Sequence, residues 1–218
     1  MSKQFAVFGL GRFGGSLVKE FHDLGREVLA VDKNIDKVHQ YAPYATHSVQ
    51  ANSMDEEALK QLGVSNVDHA FVSLGDDIEG SILTSLLLIE LGISEVWAKA
   101  QNDYHQRVLE KIGVTRVIHP ERDMAKRIAH HIISEKMIDY IELSKEHSMV
   151  ELVATDKINR KSLNDLDIRA KFACNIVGIQ RNEDMIVSPA AEETVEKGDI
   201  LLVIGKNKDI ARFEEEGM

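Results

Sequence analysis

The run Gly9-Leu10-Gly11-Arg12-Phe13-Gly14 narrows the choice of folds for this chain more than any other feature. It follows a short apolar stretch, Gln4 to Phe8, and opens a segment, Gly14 to Leu24, whose Leu17, Val18, Phe21 and Leu24 recur at helical spacing. In a strand, glycine turn and helix of this kind, the first glycine permits the turn. The second lets backbone N–H groups approach a pyrophosphate, and the third lets the helix close on the sheet. The next apolar stretch, Glu27 to Val31, ends in Asp32, about 20 residues beyond the glycines, where a carboxylate can accept hydrogen bonds from both hydroxyls of an adenosine ribose. Either signal alone is weak, because glycines serve ordinary turns and an aspartate can merely cap the next helix. Together they predict nucleotide binding. A carboxylate there repels a 2′-phosphate, so NADP is disfavoured, while NAD(H), ATP and ADP stay open. Arg12 stands where dehydrogenases usually carry a small or apolar residue. Its fork can pair with a phosphate, its own subunit's or a neighbour's, or it is a solvated arginine at a helix start.

The rest of the first half repeats the same grammar. Helices are expected over Asn34 to Tyr41, Asp55 to Leu62, Asp77 to Leu91 and Tyr104 to Ile112, and strands over Thr46 to Ala51, His69 to Leu74, Glu95 to Ala100 and Arg116 to His119. Strands alternating with helices of this length predict a doubly wound α/β fold, with a parallel sheet covered on both faces. After Pro120 comes a helix, Glu121 to Ile133, with Met124, Ile128, Ile132 and Ile133 on one stripe, and no further strand–helix–strand unit follows it. Short strands then dominate: Tyr140 to Leu143, Met149 to Ala154, Asn175 to Gln180, Met185 to Val187 and Ile200 to Ile204. The expected division is a nucleotide-binding domain over 1–135 and a small α+β domain over 136–218. A domain that small gains stability by pairing with another copy, so a homodimer is expected.

Composition removes several alternatives. The net charge of −10 repels nucleic acid and anionic lipid, and no basic patch overrides it. One cysteine, Cys174, makes no intrachain disulfide, and the absence of a signal-like start points to a cytoplasmic location. The most apolar run, Ile82 to Leu91, is too short to cross a bilayer. A dehydrogenase would need an acid–base group beside its cofactor. His119 precedes a proline, and His130 and His131 are adjacent on a helix, pointing about 100° apart and unable to chelate one metal together. Cys174 reads as a small buried residue. The missing catalyst favours a sensor over an enzyme.

Five segments carry a resemblance, the first of them around the glycine run itself. The segments Phe5 to Ser16, Val96 to Asn102 and Ile118 to Met124 resemble the regulator-of-potassium-conductance family, and most of all its Ktr-type cytoplasmic gating subunits. Asp165 to Lys171 and Lys197 to Gly205 are similar to that family's small C-terminal domain. The resemblance implies a Rossmann-type first domain binding ATP and ADP, and sometimes NAD(H), through the positions Gly9, Gly11, Arg12, Phe13, Gly14, Asp32, Lys33, Asn52, Ser73, Gly75 and Lys99. It implies that Arg12 reaches a neighbouring subunit's γ-phosphate and that Glu121 helps to hold a divalent or monovalent cation there. It also implies cyclic di-AMP between two C-terminal domains, bound by Arg169 and Asn175 and lined by Asp167, Ile168, Ile176, Pro189 and Ala190. The implied assembly is a ring of homodimers, usually octameric, at the inner face of the plasma membrane on a membrane-embedded potassium-translocating subunit. From the residues alone, an NAD-dependent oxidoreductase of unknown substrate and a nucleotide sensor with another partner remain alternatives.

Overall fold

In the computed structural model, residues 3–134 and 136–218 are described, and contacts divide the chain into two units, Met1–Pro120 and Glu121–Met218. Six parallel strands build the first unit: β1 (Phe5–Phe8), β2 (Val28–Asp32), β3 (His47–Gln50), β4 (His69–Val72), β5 (Glu95–Lys99) and β6 (Arg116–Ile118). Their order across the sheet is β3-β2-β1-β4-β5-β6, so the connection changes direction between β1 and β4. That reversal opens a crevice at the carboxyl ends of these strands, the usual ligand site of such sheets. The crossover helices are α1 (Arg12–Asp23), α2 (Ile35–Tyr41), α3 (Glu56–Gln61), α4 (Ile78–Glu90) and α5 (Asp103–Lys111). Asparagine or aspartate caps four of them: Asn34, Asp55, Asp77 and Asn102 each accept a backbone N–H from the first turn. Only α1 starts on glycine, with no side-chain cap and no acidic residue in its first turn.

Both sheet faces are apolar because β1, β2 and β4 are buried on each side. One cluster packs Phe8, Leu59, Val72, Leu88, Ala98 and Leu109, and the other packs Val7, Leu10, Val18, Ala30, Val38 and Phe71. This matches the continuous hydrophobic runs of a covered parallel sheet.

The second unit begins one residue into α6 (Pro120–Ile133), which has no buried residue, and continues into β7 (Met137–Glu142) and β8 (His147–Val153). Contacts thus group this helix with the strands that follow it. Arg127 on α6 pairs with Asp139, Lys126 with Glu142, His131 Nδ1 bonds the Met137 carbonyl, and His130 stacks on Tyr140. Next come β9 (Lys161–Ser162), α7 (Leu163–Leu166), α8 (Ile168–Phe172), β10 (Asn175–Arg181), β11 (Asp184–Val187), β12 (Thr194–Val195), β13 (Ile200–Lys206) and α9 (Asn207–Arg212). A five-stranded antiparallel sheet, ordered β11-β10-β13-β8-β7, covers a core of Val150, Leu152, Ile179, Leu201, Val203 and Phe213, and β9 pairs with β12 beside it. Among the described residues no helix is long and apolar enough to cross a membrane.

Candidate nucleotide-binding site

Four crossings of the chain converge at the carboxyl ends of β1, β2, β3 and β4. The cleft they form is lined by Gly9 and Gly11 from the first loop and by Asp32, Lys33 and Lys37 from the second. Asn52, Ser53 and Met54 come from the third, and Ser73, Gly75 and Asp77 from the fourth. Of the residues that spacing and resemblance nominate, Gly9, Gly11, Asp32, Lys33, Asn52, Ser73 and Gly75 thus meet in one place.

The three glycines do different work. Gly9 has φ +94°, and a Cβ there would collide with the Ser73 carbonyl, so the turn tolerates no side chain. A Cβ on Gly14 would collide with the carbonyl oxygen of Gly9, which is how the helix comes so close to the strand. Gly11 is the N-cap of α1, and nothing lies within 4 Å of where its Cβ would be. That open space, facing the uncapped end of a 12-residue helix, suits an anion, since unpaired N–H groups and the helix dipole both favour negative charge.

Asp32 is 7% exposed, and its carboxylate accepts the Leu10 N–H at 2.7 Å and the Asn34 N–H at 2.8 Å, with Lys37 Nζ at 3.6 Å. The first bond ties the glycine loop to the end of β2. A carboxylate has about four lone-pair sites, so two remain for a ribose diol. Lys33 pairs with Asp77 at 3.5 Å, joining the second and fourth loops across the cleft. Ser73 is buried, and its N–H donates to the Phe8 carbonyl, while Gly75 accepts the Gln101 side-chain amide.

Other nominated residues lie away from the cleft lining. Phe13 packs on Phe71 with ring centroids 5.6 Å apart, so it supports the loop from the apolar side. Arg12 is exposed in the first turn of α1, with no ion pair or hydrogen bond to its guanidinium among the described residues. Lys99, at the end of β5, is half-buried and already partnered. Glu121 belongs to the second unit, exposed and partnered in the first turn of α6. Among the described residues no three His, Cys, Asp or Glu side chains gather as a metal site. Lys37, Ser53, Met54 and Asp77 escaped the sequence reading. Only Asp77 left a signal, as a helix-capping aspartate.

The second unit gathers its nominated residues at a loop-rich edge. Asp167 (φ +45°) joins α7 to α8, Ala173 (φ +54°) ends α8, and Ser188 (φ +51°) ends β11 just before Pro189. Left-handed backbone at non-glycine residues costs energy and concentrates at functional sites. Ser188 N–H donates to the Val177 carbonyl and Asn164 N–H to that of Ala191, which holds the 188–191 segment beside both β10 and α7. Asp167, Arg169, Asn175 and Ala190 are exposed, Ile176 and Pro189 half-buried. The Arg169 guanidinium has no partner among the described residues. Ile168, at 5% exposure, lies in the core, so its side chain anchors α8. Cys174 is buried, and burial pushes its thiol up to about 11.

Comparison with known proteins agrees with this architecture. The TrkA-N domain model matches residues 5–120 and the TrkA-C domain model residues 148–216. Ktr system potassium uptake protein C of Bacillus subtilis is 54% identical over 215 residues, which is 99% of this chain and 97% of that protein. Ktr system potassium uptake protein A of the same organism is 52% identical over 217 residues, covering 100% and 98%. A solved GsuK channel bound to NAD shares the fold, with a TM-score of 0.54 at 18% identity over 99% of this chain and 38% of that one. The chain belongs to the family of Ktr potassium uptake proteins, built from a TrkA-N and a TrkA-C domain.

Proposed function

We propose that this chain is the nucleotide-sensing regulatory subunit of a Ktr-type potassium uptake system, a sensor and not an enzyme. It binds ATP or ADP in the first unit and cyclic di-AMP in the second. The observation that carries this reading is the cleft in which a glycine-started helix faces open space beside a buried carboxylate with two acceptor sites left. NAD(H) has the same adenosine half and fits the same features.

Asp32 takes the ribose and the α1 N-terminus the pyrophosphate. Arg12, exposed and without a partner among the described residues, is left for a phosphate beyond them, the γ-phosphate of ATP on a neighbouring subunit. A ligand shifts a gate only by its difference in affinity between two states, and the γ-phosphate is the part that ADP lacks. A charge-assisted bond of about 1.5–3 kcal/mol gives roughly a 10- to 150-fold preference for ATP. A cation at Glu121 would need further oxygen ligands, from the nucleotide and a second subunit, and sensing by Arg12 does not require it. In the second unit, Arg169 and Asn175 from two copies face a two-fold symmetric dinucleotide, which suits a self-complementary dimer interface. The dimers assemble as an octameric ring on the cytoplasmic side of the potassium-translocating membrane subunit. The charge of −10 speaks against nucleic acid as a partner.

The test is potassium flux through the reconstituted complex with ATP and with ADP, alongside binding of both. Arg12→Ala is expected to keep nucleotide binding and to flatten the ATP-over-ADP contrast in flux. A variant that keeps the full contrast refutes the γ-phosphate role.

A further inference from the structure

The rear of the nucleotide cleft is built unlike the rest of the core. Helix α4 turns Gly80, Ser81, Thr84 and Ser85 inward beside Leu88, the one large apolar residue of the helix that is buried, whereas Leu83 is exposed and Ile82, Leu86 and Leu87 are half-buried. A helix of this composition ordinarily buries its large apolar residues. Serine and threonine inside helices usually bond back to their own backbone, as Ser85 does to the Ser81 carbonyl at 2.7 Å. Thr84 instead reaches out of its helix: its Oγ1 donates to Ser53 Oγ at 2.9 Å, both residues being buried.

Ser53 lines the cleft and Thr84 does not. The segment 52–54 is shaped by local bonds, the Asn52 side chain accepting the Met54 N–H and the Asn52 carbonyl accepting the Asp55 N–H. Those bonds set the form of the turn and leave its place against α4 open. Among the described residues, the Thr84 bond is the side-chain hydrogen bond that fixes that place. At the other end of the wall, Asp77 caps α4 through the Gly80 N–H at 2.9 Å and lines the cleft itself.

We infer that Thr84 is a positioning residue for the adenosine end of the nucleotide site. From behind, it holds the Ser53 hydroxyl, and with it the Asn52–Met54 wall, in register with Asp32. The inference rests on reading the cleft as an adenine-nucleotide site. Its signature follows from location: the wall follows β3, on the far side of β2 and Asp32 from β1 and the glycine loop, so on this reading it serves the ribose and base and not the phosphates. Losing the Thr84 bond therefore weakens every adenosine ligand by one common factor, whatever the number of phosphates.

The experiment is calorimetric titration of the full chain and its variants with AMP, ADP and ATP, with thermal melts in parallel. Thr84→Val keeps the shape and removes the hydroxyl, and Thr84→Ser keeps the hydroxyl. Thr84→Val is expected to weaken all three ligands by about 3- to 10-fold, the worth of one neutral hydrogen bond, with the ATP-to-ADP ratio unchanged. Thr84→Ser should stay within about two-fold of wild type. Ser53→Ala should lose what Thr84→Val loses, and the double variant no more than either, which carries the test if the valine variant folds poorly. Wild-type affinity in Thr84→Val, equal losses in the valine and serine variants, or a loss confined to ATP would each overturn the positioning role while leaving the nucleotide site standing. A wild-type chain that binds none of the three overturns both.

Discussion

The two units place their candidate binding residues on opposite kinds of support. In the first, the atoms that make the site also make the fold. Gly9 and Gly14 shape the glycine loop and set the distance between β1 and α1. Asp32 faces the cleft and ties that loop to β2. In the second, the residues expected to meet ligand lie at the margin of the antiparallel sheet: on the α7–α8 segment, at the first residues of β10 and just past β11. Arg169 and Asn175 are exposed, and the structural duty falls on Ile168 and the left-handed residues around them. A parallel sheet brings loops together at its carboxyl edge as a consequence of its connections, whereas here the antiparallel sheet offers one strand end and the short helices and loops around it supply the rest. Binding and stability should therefore fall together in the first unit and separately in the second.

One tryptophan and one cysteine make the comparison measurable, since Trp97 lies in the first unit and Cys174 in the second. Trp97 fluorescence follows unfolding of one. Alkylation of Cys174, whose buried thiol is held up to about 11, follows opening of the other.

The largest effect should come from Gly14→Ala, which forces a methyl group against the Gly9 carbonyl. It should cost about 3 kcal/mol or more, at or beyond the upper end of ordinary overpacking, and remove nucleotide binding. The Trp97 transition should move to lower temperature while Cys174 in the native protein stays protected. If both reporters shift equally, the units are not independent. Asp32→Ala comes next. It should weaken ATP and ADP alike by about 10- to 150-fold, the loss of a charge-assisted bond of about 1.5–3 kcal/mol, and lower stability as well because two backbone N–H groups lose their acceptor. Unchanged calorimetric affinity for both nucleotides removes Asp32 from the site. Arg169→Ala should weaken cyclic di-AMP by about 10-fold or more, one charged hydrogen bond, with melting temperature and ATP affinity unmoved. A loss of stability in that variant would blur the contrast between the units.

The smallest effect concerns acid. Arg127 holds the Asp139 carboxyl below the usual carboxylate value, so this pair stabilises the attachment of α6 to β7 above the unfolded aspartate pKa. That contribution is lost as pH falls through the lower, folded value. Protection factors of the 121–133 amides, exchange corrected for its intrinsic pH dependence, should fall slightly over that acid range in wild type, and Asp139→Asn should show the lowered protection already at neutral pH. An identical pH profile in both removes the pair from the account.

Legibility in the sequence followed the range of the signal. The six parallel strands and the helices between them were readable because each carries a local signal, an apolar run or stripe in most and, in α3, an aspartate cap with an acidic first turn. The two-residue strands β9 and β12 and the short helices α7 and α8, separated by left-handed Asp167, carry no period to read. In the cleft, the glycines and Asp32 announced themselves because one local turn and one strand end define them. Lys37, Ser53 and Met54 did not, for they become neighbours only when separate crossovers meet at the switch in strand order. Thr84 was hidden further, since an apolar run from Ile82 to Leu91 gives no hint that its threonine faces inward.

The most direct test of a two-site sensor is a sequential calorimetric titration of the full-length chain, ATP first and cyclic di-AMP second. Two independent heats are predicted, one ATP per chain and one cyclic di-AMP per two chains, with Asp32→Ala deleting only the first and Arg169→Ala only the second. Displacement of one ligand by the other, or the loss of both heats in either variant, would contradict it.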